Sequence, residues 1–335
     1  MSKSSTKVAV VGTGGSISVV ARHSLELFEY IESGRIVEVD ELLKMFPESS
    51  SEFDVIPVRF RTINSRDMTS GDWLELNRKI SDVVKADPLI SGIVITHGTM
   101  VLEETAYFLH LAAKIDVPIV LVGAQRPPSG LSNDAGLNLV SAIRVAASPA
   151  ARGLGVLVVM NDEIQSAREV SKTSNYLLQT FRTADFGILG YADPDGAVTI
   201  YRKPSRRHAP DTEFDTSSLT SLPRVEIVYS HANADGFIID SLVRSGTKGI
   251  VVAGLPPGRP TASQRSALVA ASQEGVLVVQ SSRAGSGRVI ASAQDARDGL
   301  IAADTLNPQK ARVLSMLALT VTTDRHAIQR MFDEY

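Results

Sequence analysis

Lys7-Val8-Ala9-Val10-Val11-Gly12-Thr13-Gly14-Gly15-Ser16 is a continuous apolar run that ends in a glycine-rich turn bearing hydroxyl side chains. An uninterrupted run of this kind reads as a buried strand of a parallel sheet. Ligands of such sheets sit beyond the carboxyl ends of the strands, which places Thr13 and Ser16 where chemistry is expected. The glycines permit a sharp turn and leave backbone N–H groups open to an anion or oxyanion. The loop is not a dinucleotide fingerprint, because the third glycine of G-x-G-x-x-G would fall at Ile17. Nor does G-x-x-x-x-G-K-[ST] occur in the next hundred residues. A tight strand-to-helix turn without any ligand is the plainer alternative.

The chain has 335 residues, enough for two domains, or for one large α/β domain with a smaller partner. Hydrophobic content of 44% with 21% charged residues is that of a soluble globular protein. A net charge of −3 and a pI near 6.1 argue against a nucleic-acid binder. The one basic cluster (Arg202, Lys203, Arg206, Arg207, His208) is short and precedes Asp211, Glu213 and Asp215, as a solvated linker would. Cysteine is absent, which excludes disulfides, thiol catalysis and thiolate zinc sites. No apolar signal segment precedes the first strand and no later run is long enough to span a bilayer, so a cytoplasmic protein is expected.

Short β-branched runs recur at 7–11, 55–62, 92–96, 118–122, 155–160, 224–229, 249–253 and 275–280. Helix-like segments separate most of them, at 70–86, 101–115, 134–147, 235–245 and 262–273. In the first of these, Asp72, Glu75 and Lys79 mark a polar face, while Trp73, Leu74, Leu76 and Ile80 supply an apolar one. Strand alternating with helix predicts a largely parallel sheet covered on both faces. Segment 203–223 is polar, proline-punctuated and aperiodic, a linker between a catalytic α/β domain at 1–202 and a smaller α/β domain at 224–335.

The carboxyl ends of the proposed strands give a short inventory: Thr13 and Ser16; Asn64-Ser65-Arg66-Asp67-Met68; Thr96-His97-Gly98-Thr99; Gly123-Ala124-Gln125-Arg126-Pro127; and Asn161-Asp162-Glu163, with Lys172 about ten residues on. Hydroxyls, one lysine and glycine-exposed backbone are the parts needed for nucleophilic acyl transfer. A lysine desolvated in such a cleft can act as base. The six histidines form no H-x-x-x-H pair, so no metal is expected. A Ser-His-Asp triad through His97 lacks its G-x-S-x-G elbow, and His97 reads better as a loop anchor. Trp73, Tyr107 and Phe108 read as core, and Asp67 and Asp134 as cap or network residues.

Several blocks together resemble the bacterial L-asparaginases, threonine-dependent amidohydrolases. They are Thr13-Gly14-Gly15-Ser16-Ile17, Ile95-Thr96-His97-Gly98-Thr99, Glu103-Glu104-Thr105-Ala106-Tyr107-Phe108-Leu109, Val158-Val159-Met160-Asn161-Asp162, Lys172-Thr173 and Thr305-Leu306-Asn307-Pro308-Gln309-Lys310-Ala311-Arg312. The resemblance covers the whole chain, as far as Met331-Phe332-Asp333-Glu334-Tyr335. It implies a flavodoxin-like amino-terminal domain, a smaller carboxyl-terminal one, a homotetramer built from intimate dimers, and no metal or cofactor. The nucleophile of the family maps to Ser16, its second hydroxyl to Thr99, its lysine to Lys172, and the tyrosine of its mobile lid most nearly to Tyr30. Segment 17–35 is then the lid. Ser65 matches a serine that holds the substrate α-carboxylate. Thr13, Gly15, Gly98 and Ala124, at the surrounding strand ends, complete the expected substrate-binding set with Arg66 and Met100.

The departures from the family concern one group. Serine replaces threonine at Ser16, which keeps the hydroxyl and loses a methyl that restrains its rotamer. Met100 stands where the family has an aspartate that grips the substrate α-ammonium, and Arg66 where it has a glutamine that also contacts it. The acidic residue donated by a neighbouring subunit has no counterpart, its nearest position being Ser292. Three lost contacts aimed at one cation lead to the expectation of a substrate without it: a des-amino amide, a lactam or a lactone. Conventional asparaginase activity, a lactone or ester hydrolase, and a catalytically silent binding protein on the same fold are the alternatives.

Overall fold

The computed structural model describes residues 6–335 and divides into two compact units, the first ending at Asp211 and the second spanning Thr212–Tyr335. In the first unit the elements run as β1 (Lys7–Gly14), β2 (Val19–Val20), α1 (Tyr30–Ser33), β3 (Arg35–Ile36), α2 (Val39–Met45), β4 (Asp54–Ile63), α3 (Ser70–Ala86), β5 (Ile90–Thr96), α4 (Leu102–Ala112) and β6 (Ile119–Val122). There follow α5 (Ala135–Ala147), β7 (Val156–Met160), β8 (Glu163–Ser166), β9 (Ser171–Lys172), β10 (Phe181–Arg182), β11 (Gly190–Ala192) and β12 (Val198–Ile200).

Eight of these strands form one sheet in the order β12-β11-β8-β7-β6-β5-β1-β4. The five from β7 to β4 are parallel, the flavodoxin-like arrangement expected from the resemblance. Strands β8, β11 and β12 extend it antiparallel, a part the sequence reading did not foresee. They are three or four residues long and partly polar, too short to show a period.

The central strands are apolar throughout because both faces are covered. Val94, Val120, Val122 and Leu157 pack with Leu139, Ile143 and Ala146 of α5 on one side. On the other helical layer Trp73 of α3 stacks on Phe108 of α4, with ring centroids 5.5 Å apart. Trp73, Tyr107 and Phe108 are all core residues, as read. Asp72 departs from its expected solvated face: it is buried, closes a capping box with Thr69 at the start of α3, and pairs with Arg61 at 2.8 Å.

The second unit has four parallel strands in sequence order, β13 (Val225–Tyr229), β14 (Gly249–Gly254), β15 (Leu277–Ser282) and β16 (Leu300–Ala302). Its helices are α6 (Phe237–Arg244), α7 (Ala262–Gln273), α8 (Ala293–Arg297), α9 (Pro308–Val321) and α10 (Arg325–Glu334). Asn307 caps α9 through a 3.0 Å bond from the Lys310 N–H, with Pro308 at the first helical position. Segment 203–223 carries no helix or strand, but it is not simply solvated. The Ala209 N–H bonds the His110 carbonyl at 2.8 Å in the first unit, and the Phe214 ring lies 5.1 Å from that of Tyr335 in the second.

Candidate active site

Strand order reverses between β1 and β5, whose connections leave for opposite sides of the sheet, and a crevice opens there beyond the carboxyl ends. The two loops that border it are Gly14-Gly15-Ser16 and His97-Gly98-Thr99. They touch through glycines. Gly15 holds φ at +84°, and a Cβ there would lie 2.2 Å from Gly98 Cα. A Cβ on Gly98 would in turn lie 2.3 Å from Ser65 Oγ. Only glycines let Ser16, Thr99 and Ser65 converge on one crevice.

Ser16 opens a single 3-10 turn closed by a 2.8 Å bond from the Ser18 N–H to the Gly15 carbonyl, and it is nearly buried. Tyr30 reaches it from α1. The Tyr30 hydroxyl donates to the Gln125 carbonyl at 3.3 Å. Burial raises the Tyr30 pKa, and the nearby Ser16 hydroxyl partly offsets that rise.

Lys172 belongs to β9, paired antiparallel with β10. Its Nζ donates to Thr99 Oγ1 at 2.6 Å and to Gln125 Oε1 at 3.0 Å, and Thr99 Oγ1 itself donates to Gln125 Oε1 at 3.0 Å. Burial of the ammonium lowers its pKa to about 8, against an opposing pull from Glu103. A lysine in this range can release its proton near neutral pH, as a general base must.

Ser16, Tyr30, Thr99, Met100 and Lys172 line one cavity of about 670 Å³. A second cavity of about 30 Å³ shares Ser16, Thr99 and Met100 and adds Gly15, Ser65 and Gly98. Other expected site residues lie elsewhere. The Thr13 hydroxyl is buried and donates to the Thr96 carbonyl at 2.8 Å, which makes it a brace between β1 and β5. The Ala124 methyl belongs to the hydrophobic core, so its main chain alone is left to face a ligand. The Arg66 guanidinium is half exposed and faces carboxylates, Glu32 at 3.2 Å and Asp67 at 3.8 Å.

Gln125, from the strand-end block 123–127, has no role that its position in the sequence announces. Its side chain accepts from Thr99 and Lys172 and donates to the carbonyls of Asn175 and Leu177, at 3.2 and 3.1 Å. It thereby ties the end of β6 to the β9–β10 loop. Asp134 is a network residue, as read: it accepts the N–H groups of Gln125 and Arg126 at 3.0 and 2.9 Å. His97 is an anchor, fully buried, bonded to the Gly98 carbonyl at 2.7 Å and to Thr105 Oγ1 at 3.0 Å. Burial lowers its pKa to about 4, which keeps it neutral.

Segment 17–35 borders the larger cavity with residues from Arg22 to Ser33 and is held in place at several points. Strands β2 and β3 pair at its two ends. The buried Glu26 carboxylate accepts from the Arg22 N–H at 2.7 Å, Arg22 Nε at 2.8 Å and Ser33 Oγ at 2.6 Å. These partners, Arg22 foremost, lower its pKa to about 2. The Ala21 N–H also donates to Ser129 Oγ at 2.8 Å.

Comparison with known proteins gives this geometry a lineage. Residues 7–206 match the family model "Asparaginase, N-terminal", and residues 224–332 match "Glutaminase/Asparaginase C-terminal domain". The chain belongs to the asparaginase family. L-asparaginase 2 of Escherichia coli (strain K12) is 43% identical over 302 residues, covering 89% of this chain and 85% of that one. L-asparaginase 2 of Bacillus subtilis (strain 168) is 38% identical over 328 residues, covering 98% and 86%. A crystal structure described as a probable cytoplasmic L-asparaginase from Campylobacter jejuni superposes with a TM-score of 0.94 at 41% identity, covering 98% of this chain and all of that one. The protein is therefore an asparaginase-family amidohydrolase, a hydrolase of carbon–nitrogen bonds. No helix among the described residues is long and apolar enough to cross a membrane.

Proposed function

We propose that the crevice hydrolyses an amide lacking the α-ammonium of asparagine, through an ester on Ser16. Ser16 Oγ attacks the carbonyl, its proton passes to the Tyr30 hydroxyl, and the Tyr30 proton passes on toward the departing nitrogen. Backbone N–H groups near Gly98 and Thr99 receive the developing oxyanion. Breakdown expels the amine nitrogen, protonated from the same relay. Water, activated by the Thr99–Lys172 pair, then cleaves the ester. Ser65 receives the carboxylate of the substrate, and Arg66, which lines neither cavity and faces Glu32, becomes a second contact only by leaving that partner.

The observation that carries the substrate class is Met100, whose thioether side chain is 46% exposed and lines both cavities beside Ser16. An ammonium set against the thioether gains no charge partner from position 100, where the family has an aspartate. Arg66 supplies no carboxylate either, and its guanidinium faces Glu32 and Asp67. Its pairing with Glu32 is between two half-exposed side chains, worth roughly 0–1 kcal/mol, so a substrate carboxylate displaces Glu32 cheaply.

Conventional asparaginase activity is the second reading. It is favoured by the names of the relatives and by Glu29 and Glu32, the two carboxylates that line the larger cavity. A double substitution separates the two. Met100→Asp with Arg66→Gln raises kcat/KM for L-asparagine relative to succinamate if the ammonium site has been lost. An unchanged ratio means that the cation is held elsewhere. A homotetramer, as the family resemblance implies, is part of the proposal, to be read from the mass of the purified protein in solution.

A further inference from the structure

Gln125 bonds to Tyr30, Thr99, Lys172 and the β9–β10 loop at once. Its main chain is held from two sides, where its N–H donates to Asp134 at 3.0 Å and its carbonyl accepts from the Tyr30 hydroxyl at 3.3 Å. Its amide nitrogen donates to the carbonyls of Asn175 and Leu177, at 3.2 and 3.1 Å. A carbonyl only accepts, so the nitrogen of this amide is fixed on the loop side and its oxygen on the side of Thr99 and Lys172.

That orientation decides where the protons of the pair lie. Oε1 accepts from Thr99 Oγ1 and from Lys172 Nζ, each at 3.0 Å. A hydroxyl has a single proton, and Thr99 gives it to Gln125, so only lone pairs of Thr99 Oγ1 are left to meet Lys172. Nζ is accordingly the donor in the 2.6 Å bond between them. Two acceptors set against one nitrogen suit an ammonium and oppose a lone pair. To take a proton from Thr99, Lys172 must first lose one, and the Thr99 hydroxyl must turn away from Oε1.

We propose that Gln125 is a positioning residue for ester cleavage, whose amide oxygen holds Lys172 in its charged form and keeps the Thr99 proton away from it until the amine forms. The inference rests on the Thr99–Lys172 pair as the activator of water. In that step the water oxygen bonds to the ester carbonyl, a water proton passes to Thr99 Oγ1, and the Thr99 proton passes to neutral Nζ. The ester C–O bond then breaks, Ser16 Oγ takes up the proton that the ammonium gives back, and the acid leaves. Other charged or titratable groups also surround Lys172: Glu103 of α4, and Arg22, Glu29, Tyr30 and Glu32 along the same cavity. Asp134 lies behind the Gln125 main chain, and Arg182 of β10 stands opposite Ser171. All of them are retained when Gln125 alone is changed.

Gln125→Met keeps the length of the side chain and removes the acceptor. Gln125→Glu keeps the acceptor, adds a negative charge and loses the donor to the loop. Two readouts follow the ammonium in the full-length protein. One is the pH dependence of kcat, on whichever of succinamate and L-asparagine turns over faster. The other needs no substrate: the pH above which the melting temperature rises relative to the matching variant that also carries Lys172→Met. Both start from about 8 in the unaltered protein. Gln125→Met is expected to move them down by ~1 on the pH scale, and Gln125→Glu to move them up by ~1–2. A merely structural residue would lower kcat and stability and leave the limb at its pH. A limb that stays near 8 or moves the other way, in either variant that melts cooperatively, overturns the inference. Lys172→Arg checks the underlying reading separately. A limb that survives it overturns the pair as activator of water, and the inference with it; a limb that it removes but Gln125 variants do not move overturns the inference alone.

Discussion

Lys172 Nζ lies 2.6 Å from Thr99 Oγ1, and burial holds that ammonium at a pKa of about 8. The neutral amine therefore gains population as pH rises through 8. As the base that activates water for ester cleavage, it makes kcat climb toward ~10-fold per pH unit below 8 and level above it. Lys172→Arg, which stays protonated, removes that limb and lowers kcat by ~100-fold or more. Stability carries a matching signature. The folded pKa lies below the ordinary 10.5, so the unfolded chain holds more protons between about 8 and 10.5. Over that window Lys172 favours folding increasingly as pH rises, and Lys172→Met removes this contribution from the pH dependence of the melting temperature.

Ser16→Ala removes the nucleophile without leaving a large void. Turnover is expected to fall by ~10³-fold or more, with the melting temperature and ligand-induced thermal shift retained. Ser16→Thr keeps the hydroxyl and is expected to stay active. Full activity in Ser16→Ala would assign the chemistry to another group.

Glu26 ties together the two ends of the segment that carries Phe28 and Tyr30, through Arg22 and Ser33. Its carboxyl pKa is lowered from 4.5 to about 2, chiefly by Arg22, so its contribution to stability is present above 4.5 and is lost as pH falls toward 2. Glu26→Gln is expected to flatten that part of the acid limb in a melting series and to raise KM, because Tyr30 and Phe28 are carried by the same segment. An unchanged acid limb and KM would separate Glu26 from the lid.

Gly98→Ala is a steric test. The new methyl falls 2.3 Å from Ser65 Oγ and 2.6 Å from Ser65 Cβ, so Ser65 or the His97-Gly98-Thr99 turn must move. A misplacement of about 1 Å in a catalytic constellation costs ~100-fold in rate. The variant should lose activity by that order while still melting cooperatively. Wild-type kcat/KM would show that the Gly15–Gly98–Ser65 contact does not position the site.

The parallel core was legible because burial on both faces writes itself as unbroken apolar runs. The ends of β1, β4, β5 and β7 fall within three residues of where the sequence put them. Glycine, threonine and serine after β1 and β5 marked the crevice, since few other side chains permit so close an approach. Three things were not legible. Strands β8, β11 and β12 are short, and their pairing is fixed by the sheet edge rather than by a pattern of their own. Gln125 works through its amide across to Asn175 and Leu177, a contact fifty residues away that no local spacing announces. Arg66 was read as free for the substrate, whereas Glu32 of the lid already faces it.

Ammonia release from succinamate and from L-asparagine, at equal enzyme and at pH 8, bears on the proposal through a single difference, the α-ammonium. Met100 in place of a carboxylate beside Ser16 predicts a higher kcat/KM for succinamate. A clear preference for L-asparagine would contradict it and would place the α-ammonium on Glu29 or Glu32.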